Sequence, residues 1–236
     1  MPFQGKRVLA VVPARGGSKG IPRKNLCQLD GLSLVGHAAR TADRLPWLDR
    51  AVLSTDDEEI AAEGRRAGLK VPFMRPDELA GDMAGSIEMW QHAWLASEAH
   101  FTEKYDLSIL LEPTSPMRRP EDITAVVDTL MKSGCAAAAT VSRAPAHFTP
   151  HKCLTVDEEG TIGFYHDQGQ RFAIRQKIPA YYFRNGICYA VRRKTLLEDA
   201  HIIEDDCRAV VIDRQIVNID HLHDLEYAEF LMQRQK

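Results

Sequence analysis

The stretch Pro13-Ala-Arg-Gly-Gly-Ser-Lys-Gly-Ile-Pro-Arg-Lys-Asn25 sets three glycines among Arg15, Lys19, Arg23 and Lys24. Glycine lets a backbone approach a phosphate closely, and the four cations bring enough positive charge to meet a triphosphate, with Ser18 as a further donor. The chemistry is that of an anion cradle. The spacing is not that of a P-loop, because no Lys-Ser or Lys-Thr pair follows the later glycine, and Gly16, Gly17 and Gly20 do not make G-x-G-x-x-G. Three further groups of residues carry chemistry. Leu110-Leu-Glu-Pro-Thr-Ser-Pro-Met-Arg118 reads as a buried strand that stops in a proline-rich turn. Asp56-Asp-Glu-Glu59 is a run of acids, best explained as the cap and first turn of a helix, where carboxylates meet unpaired N–H groups and the positive end of the dipole. His221 and His223 form an H-x-H pair with no third ligand at a metal-binding spacing, which favours capping or surface roles over zinc.

These residues need a scaffold, and the chain alternates short β-branched runs with longer segments of helical period, the pattern of βα units around a largely parallel sheet. Strands are predicted at Arg7 to Pro13, Ala51 to Ser54, Val71 to Met74, Leu107 to Leu111, Ala136 to Val141, Gly186 to Val191 and Ala209 to Ile212. Helices are predicted at Leu34 to Leu45, at Glu58 to Ala67 with Gly68 as the stop, at Ser86 to Ala99, from Pro120 at a first helical position, and at Leu222 to Gln233. The glycine loop then leaves the carboxyl end of the first strand, the edge at which open α/β sheets bind ligands. From about Arg143 to Arg184 the alternation breaks into a polar, aromatic, turn-rich stretch with the look of a β-hairpin excursion. The expected organisation is one domain over residues 1–236 with an inserted lobe at about 143–184. Phe148, Phe164, Tyr165 and Phe172 have too little sequence around them there to be buried alone, which predicts homodimerisation through the lobe.

Composition narrows the partners. With 44% hydrophobic residues, 236 residues can bury a proper core. Thirty Lys+Arg against 33 Asp+Glu leave a net charge of -3, so there is no basic field to hold DNA or RNA, and any anion is bound locally. Five scattered cysteines without a C-x-x-C pair read as reduced thiols of a cytoplasmic protein. Val8 to Val12 is too short for a signal segment or a membrane span.

Six blocks in order, PARGGSKGIPRKN at 13–25, LSTDDEEIA at 53–61, RPDELAGD at 75–82, LLEPTSPMR at 110–118, RNGICY at 184–189 and NIDHLHDLEYAE at 218–229, resemble the acylneuraminate cytidylyltransferases, also called CMP-sialic acid synthetases. The resemblance covers most of the chain. It implies a three-layer, Rossmann-like fold of the nucleotide-diphospho-sugar transferase type, a magnesium-dependent reaction of CTP with a nonulosonic acid, and release of pyrophosphate. Catalytic roles at the reacting phosphates fall to Arg15, Lys19 and Lys24. Nucleotide contacts fall to Ala14, Gly16, Gly17, Ser18 and Asn25 in the loop and to Arg75, Asp82 and Ser86 beyond it; capping of the following helix is a second reading of Asp82. Sugar contacts fall to Glu112, Thr114, Ser115, Lys152, Arg175, Gln176, Arg184 and Asn185, since a carboxylate-bearing sugar calls for Lys or Arg. Asn218 and Asp220 stand where the family holds magnesium, and alternation along an extended segment puts both on one face.

The chain departs from the family pattern at three points. Glu112 stands where Gln is usual, Asn218 where Asp is usual, and Arg184 is shifted by one from the usual Arg-Pro-Asn-Gly. These departures keep two rival readings open: a sugar nucleotidyltransferase of another nucleotide or sugar-acid specificity, including legionaminate, pseudaminate or a Kdo-like acid, and a catalytically silent nucleotide-binding protein.

Overall fold

The computed structural model describes residues 3–167, 169 and 178–234. Its elements follow one another as β1 (Val8–Pro13), β2 (Gln28–Leu29), β3 (Leu32–Ser33), α1 (Leu34–Asp43), β4 (Arg50–Ser54), α2 (Glu58–Arg66), α3 (Ser86–Phe101), β5 (Leu107–Leu110), α4 (Pro120–Ser133), β6 (Ala137–Arg143), β7 (Leu154–Val156), β8 (Ile162–Phe164), β9 (Tyr182–Arg192), α5 (Arg193–Leu197), β10 (Cys207–Val211) and α6 (Leu222–Gln233). Six strands form the central sheet in the order β10-β6-β9-β5-β1-β4. All neighbours pair in parallel except β9, which runs antiparallel to both β5 and β6.

Period-two alternation divides the sheet's side chains between two cores. Val8, Ala10 and Val12 of β1 pack with α1, α2 and α4 on one face, while Leu9 and Val11 pack with Trp90 and Trp94 of α3 and Leu196 of α5 on the other. This is the expected three-layer arrangement. A third, smaller core joins Ile21 of the glycine loop, Met117 of the proline-rich turn, Val217, Ile219 and Leu231 of α6. Its effect is local: three loops that would otherwise be held only by their ends share buried apolar contacts.

One expected strand is corrected. Val71 to Met74 forms no strand; a single bridge at Lys70 to Val52 is all the pairing there, because Pro72 cannot donate to a ladder. At the far end of the stretch read as a lobe, Tyr182, Phe183 and Arg184 belong to β9 and pair with Arg143, Ser142 and Val141. The hairpin itself is present as β7 and β8, with Leu154, Val156, Ile162 and Phe164 exposed.

Candidate functional site

Because β4, β1, β5, β6 and β10 run the same way and β9 runs against them, the carboxyl ends of β1, β4 and β5 and the amino end of β9 open on one edge of the sheet. The glycine loop after β1, the turn after β5 and the start of β9 therefore converge there. Val217 and Ile219 are buried while Asn218 and Asp220 are exposed, so alternation does put both candidate metal ligands on one face although this segment pairs with no strand of the sheet. A backbone bond from Ile219 N–H to the carbonyl of Thr114, 2.8 Å, ties it to the turn after β5.

Five devices fix the loops. Lys24 Nζ donates to the carbonyl of Ile219 and to Asp220 Oδ1, each at 2.9 Å. Gly20 lies against the backbone of Asp220, where a Cβ would stand 2.2 Å from the carbonyl oxygen, so only glycine permits the approach. Asp56 Oδ1 accepts from Gly16 N–H at 3.0 Å, and Asn25 donates to the carbonyl of Arg15 at 2.9 Å. Arg118, itself buried, donates through Nε to Ile187 O at 3.1 Å and through Nη2 to the carbonyls of Glu112 and Gly186, clamping the turn after β5 onto β9. Burial depresses the Arg118 pKa to about 10, which still leaves the guanidinium charged.

Two clefts result. One, of about 480 Å³, is lined by Arg15, Ser18, Lys19, Lys24, Asn25, Glu112, Thr114, Asn218 and Asp220. The other, of about 280 Å³, is lined by Arg75, Gly81, Asp82, Ser86 and Met89, and shares Arg15 and Glu112 with the first. Arg15 and Glu112 thus stand at their junction. Arg75 is buried, with Nε on Ser54 Oγ at 3.1 Å and Nη2 on Ser54 O at 2.5 Å; burial lowers its pKa to about 10, and Asp56 works against that shift. Burial also pushes the Glu112 carboxyl above its ordinary range, opposed by the nearby Arg118 and Arg184 charges. Glu112 and Asn218 face each other over Gly186: a Cβ on that glycine, at φ +69, would lie 2.4 Å from Glu112 Oε2, 2.7 Å from Ser115 Oγ and 3.0 Å from Asn218 Nδ2.

The structure does not bring every candidate to the clefts. Asn185 is 1% exposed and its amide bonds to Thr140 Oγ1, Ser142 Oγ and Ile187 N–H; Ser115 is likewise 1% exposed and donates to the carbonyl of Asn185. Side chains without exposed surface cannot touch a bound sugar in this conformation, so both act by holding the start of β9 in place. Lys152 lies between the short helical turn Ala146–Phe148 and β7 and lines neither cleft. Arg175 and Gln176 lie outside the described residues. Asp82 makes no cap bond to α3, whose N-cap is Gly85, and pairs with Arg15 and Lys19 instead. Asp57 is the N-cap of α2 and His221 that of α6, as the acid run and the H-x-H pair suggested.

Sequence reasoning missed Asp56 as a brace of the glycine loop and Arg118 as the clamp. Asp56 carried a signal, an acid at the carboxyl end of the strand beside β1. Arg118 carried none beyond being a charged residue that follows a buried strand and turn.

The donor set suits magnesium. Asp220 offers a carboxylate, Asn218 an amide oxygen and Glu112 a second carboxylate on the wall of the same cleft. Among the described residues no three His, Cys, Asp or Glu groups are placed to hold a metal alone. An ion there would need substrate phosphates and water for the rest of its shell, which is how magnesium is commonly held.

A family model described as cytidylyltransferase matches residues 9–235. The chain is 29% identical over 232 residues to the CMP-N,N'-diacetyllegionaminic acid synthase of Legionella pneumophila, covering 96% of this chain and 97% of that protein. It is 29% identical over 226 residues to a pseudaminic acid cytidylyltransferase of Campylobacter jejuni, covering 94% and 95%. Among solved structures it is similar to a CMP:2-keto-3-deoxy-manno-octonic acid synthetase complexed with CTP, with a TM-score of 0.72 and 18% identity over 98% of this chain and 100% of the other, a likeness of fold.

Proposed function

The chain belongs to the cytidylyltransferase family, and from that premise we propose that it joins CMP from CTP to a nonulosonic acid and releases pyrophosphate. The observation that carries this reading is the junction of the two clefts. A pocket suited to a pyrimidine nucleoside, floored by Arg75, Ser86 and Met89, meets at Arg15 a pocket lined by Lys19, Lys24 and Asp220. A nucleotide laid across the junction puts its base in the first and its phosphates in the second.

In the reaction the anomeric hydroxyl oxygen bonds to the α-phosphorus while the bond to the bridging oxygen of the β-phosphate breaks in line, and pyrophosphate leaves. Negative charge grows on the equatorial and leaving oxygens. Arg15 and Lys19 are placed to neutralise it, and their charges cost no reorganisation at the moment of reaction because the loop is already braced at Asp56 and Asp220. Lys24, mostly buried, orients the Asp220 carboxylate. Asp220 and Asn218 would hold magnesium, which would supply charge neutralisation at the triphosphate. Arg184, exposed at the start of β9 beside Glu112, is the residue offered to the sugar carboxylate. No protein nucleophile is required.

Both relatives above carry nonulosonate names, which favours a nine-carbon acid of the legionaminate or pseudaminate kind over a nucleotide-binding protein without activity. Among the described residues no helix is long and apolar enough to cross a membrane, and the described cysteines are all free. The exposed apolar faces of β7 and β8, with Phe148 and Tyr165, support a homodimer formed through the lobe. Sedimentation at micromolar concentration checks the dimer, and pyrophosphate release from CTP across a panel of nonulosonic acids checks the activity.

A further inference from the structure

Asp82 sits in the segment between Leu79 and α3, where it neither caps the helix nor faces a partner in that segment. Its carboxylate reaches instead across to the glycine loop, 2.7 Å from Lys19 Nζ and 3.2 Å from Arg15 Nη2, while Arg15 Nη1 donates to the neighbouring carbonyl of Gly81 at 3.0 Å. Lys19 and Arg15 hold the Asp82 carboxyl below its ordinary range. A carboxylate bridging two cations at these distances is the arrangement a phosphate oxygen adopts in an anion site. The three residues are exposed enough for a ligand to exchange with the contact, the side chains of Arg15, Asp82 and Lys19 being 35%, 48% and 77% exposed.

We propose that Asp82 is an internal competitor for the polyphosphate, occupying Arg15 and Lys19 when no ligand is bound and setting how tightly CTP and pyrophosphate are held. The inference rests on the reading of the glycine loop as the triphosphate cradle. Asp82 cancels one of the two positive charges that Arg15 and Lys19 present. A polyphosphate must displace it or bind beside its charge, and either lowers affinity. A nucleoside or nucleoside monophosphate, which does not reach both cations, meets no such competition. The consequence falls on turnover as well as binding: when pyrophosphate departs, a carboxylate on a short tether returns to the cations it leaves, which favours release over retention. The role differs from a contact to base or ribose, because removing such a contact weakens every cytidine ligand, whereas removing a competitor strengthens only those that carry a polyphosphate.

The test is calorimetric titration of the full chain and of Asp82→Asn with CTP, CMP and inorganic tripolyphosphate. The asparagine keeps size and hydrogen bonding while removing the charge, and melting curves of the two proteins confirm equal folding. Surface pairs of this kind are individually weak, so the expected gain in CTP and tripolyphosphate affinity is about three- to tenfold, with CMP unchanged. In a Lys19→Ala background the same substitution is expected to give a smaller gain, since half of the contact is already gone. Pyrophosphate is expected to inhibit the Asp82→Asn enzyme at lower concentration than the parent. Unchanged polyphosphate affinity overturns the proposal, and loss of affinity for CMP and CTP alike overturns it in favour of a nucleoside contact. Failure of the parent protein to bind CTP or tripolyphosphate at all overturns the cradle reading itself, and this inference with it.

Discussion

Lys24 Nζ lies 2.9 Å from Asp220 Oδ1 and 2.9 Å from the carbonyl of Ile219, so one side chain joins the glycine loop to the segment that carries the candidate metal ligands, although 195 residues separate Lys24 from Ile219. Lys24→Ala is expected to lower kcat by about two orders of magnitude, because the change removes a preorganised charge beside the reacting phosphates and frees Asp220. Circular dichroism and melting temperature should show a folded protein. A folded variant with parental turnover would remove Lys24 from the account.

Gly20→Ala tests the same junction by shape rather than charge. The new methyl group would stand 2.2 Å from the Asp220 carbonyl oxygen, and backbone cannot step aside as a flexible side chain can. The loop and the Asp220 segment must then separate. The expected result is a sharp loss of kcat/KM for CTP with the six-stranded sheet intact, read by steady-state kinetics and far-UV circular dichroism.

Magnesium dependence distinguishes the acids. Asn218→Asp adds a carboxylate and should lower the magnesium concentration for half-maximal activity several-fold. Asp220→Asn should raise it, more severely, because Asn218 and residue 220 would then both be amides. Glu112→Gln should also raise it, since the cleft loses a carboxylate that faces Asn218 over Gly186; combined with Asn218→Asp it should be nearly silent. Unchanged magnesium dependence in Asp220→Asn would place the ion elsewhere.

Glu98 predicts the acid limb of stability. Burial works to raise its pKa, but hydrogen bonds from Arg193, Lys104, the Tyr105 N–H and Trp94 outweigh burial and hold it at about 2, against an ordinary 4.5. A depressed carboxylate stabilises the fold above its unfolded pKa and loses that contribution as pH falls through the native one. The parent should therefore lose on the order of 2 kcal/mol between about pH 4.5 and 2 through this group. Glu98→Gln should be less stable at pH 7 and show a flatter acid limb in urea titrations.

What the sequence made legible follows from local patterns. Apolar runs bounded by glycine placed β1 and its loop, and the alternation of Val217 and Ile219 with Asn218 and Asp220 oriented the candidate metal ligands. Features that depend on distant partners were not legible. Arg118 reads as a loop arginine until three carbonyls, one from the turn after β5 and two from β9, surround it. Asn185 and Ser115 look like polar contacts for a ligand until β9 runs antiparallel between β5 and β6 and buries both. Val71 to Met74 has the apolar residues of a strand, but its pairing stops at Lys70.

The central claim is the transfer itself, and the most direct measurement is pyrophosphate release by the purified chain with magnesium, each of the four nucleoside triphosphates in turn, and legionaminic, pseudaminic, N-acetylneuraminic and 2-keto-3-deoxy-octonic acids, with mass spectrometry of the sugar product. The account predicts that CTP with a nine-carbon acid gives stoichiometric pyrophosphate and the CMP-sugar, that the other nucleotides give little, and that Lys19→Ala turns over at least about a hundredfold more slowly. Pyrophosphate release with another nucleotide in preference to CTP, or none with any nine-carbon acid from a folded, CTP-binding protein, would contradict it.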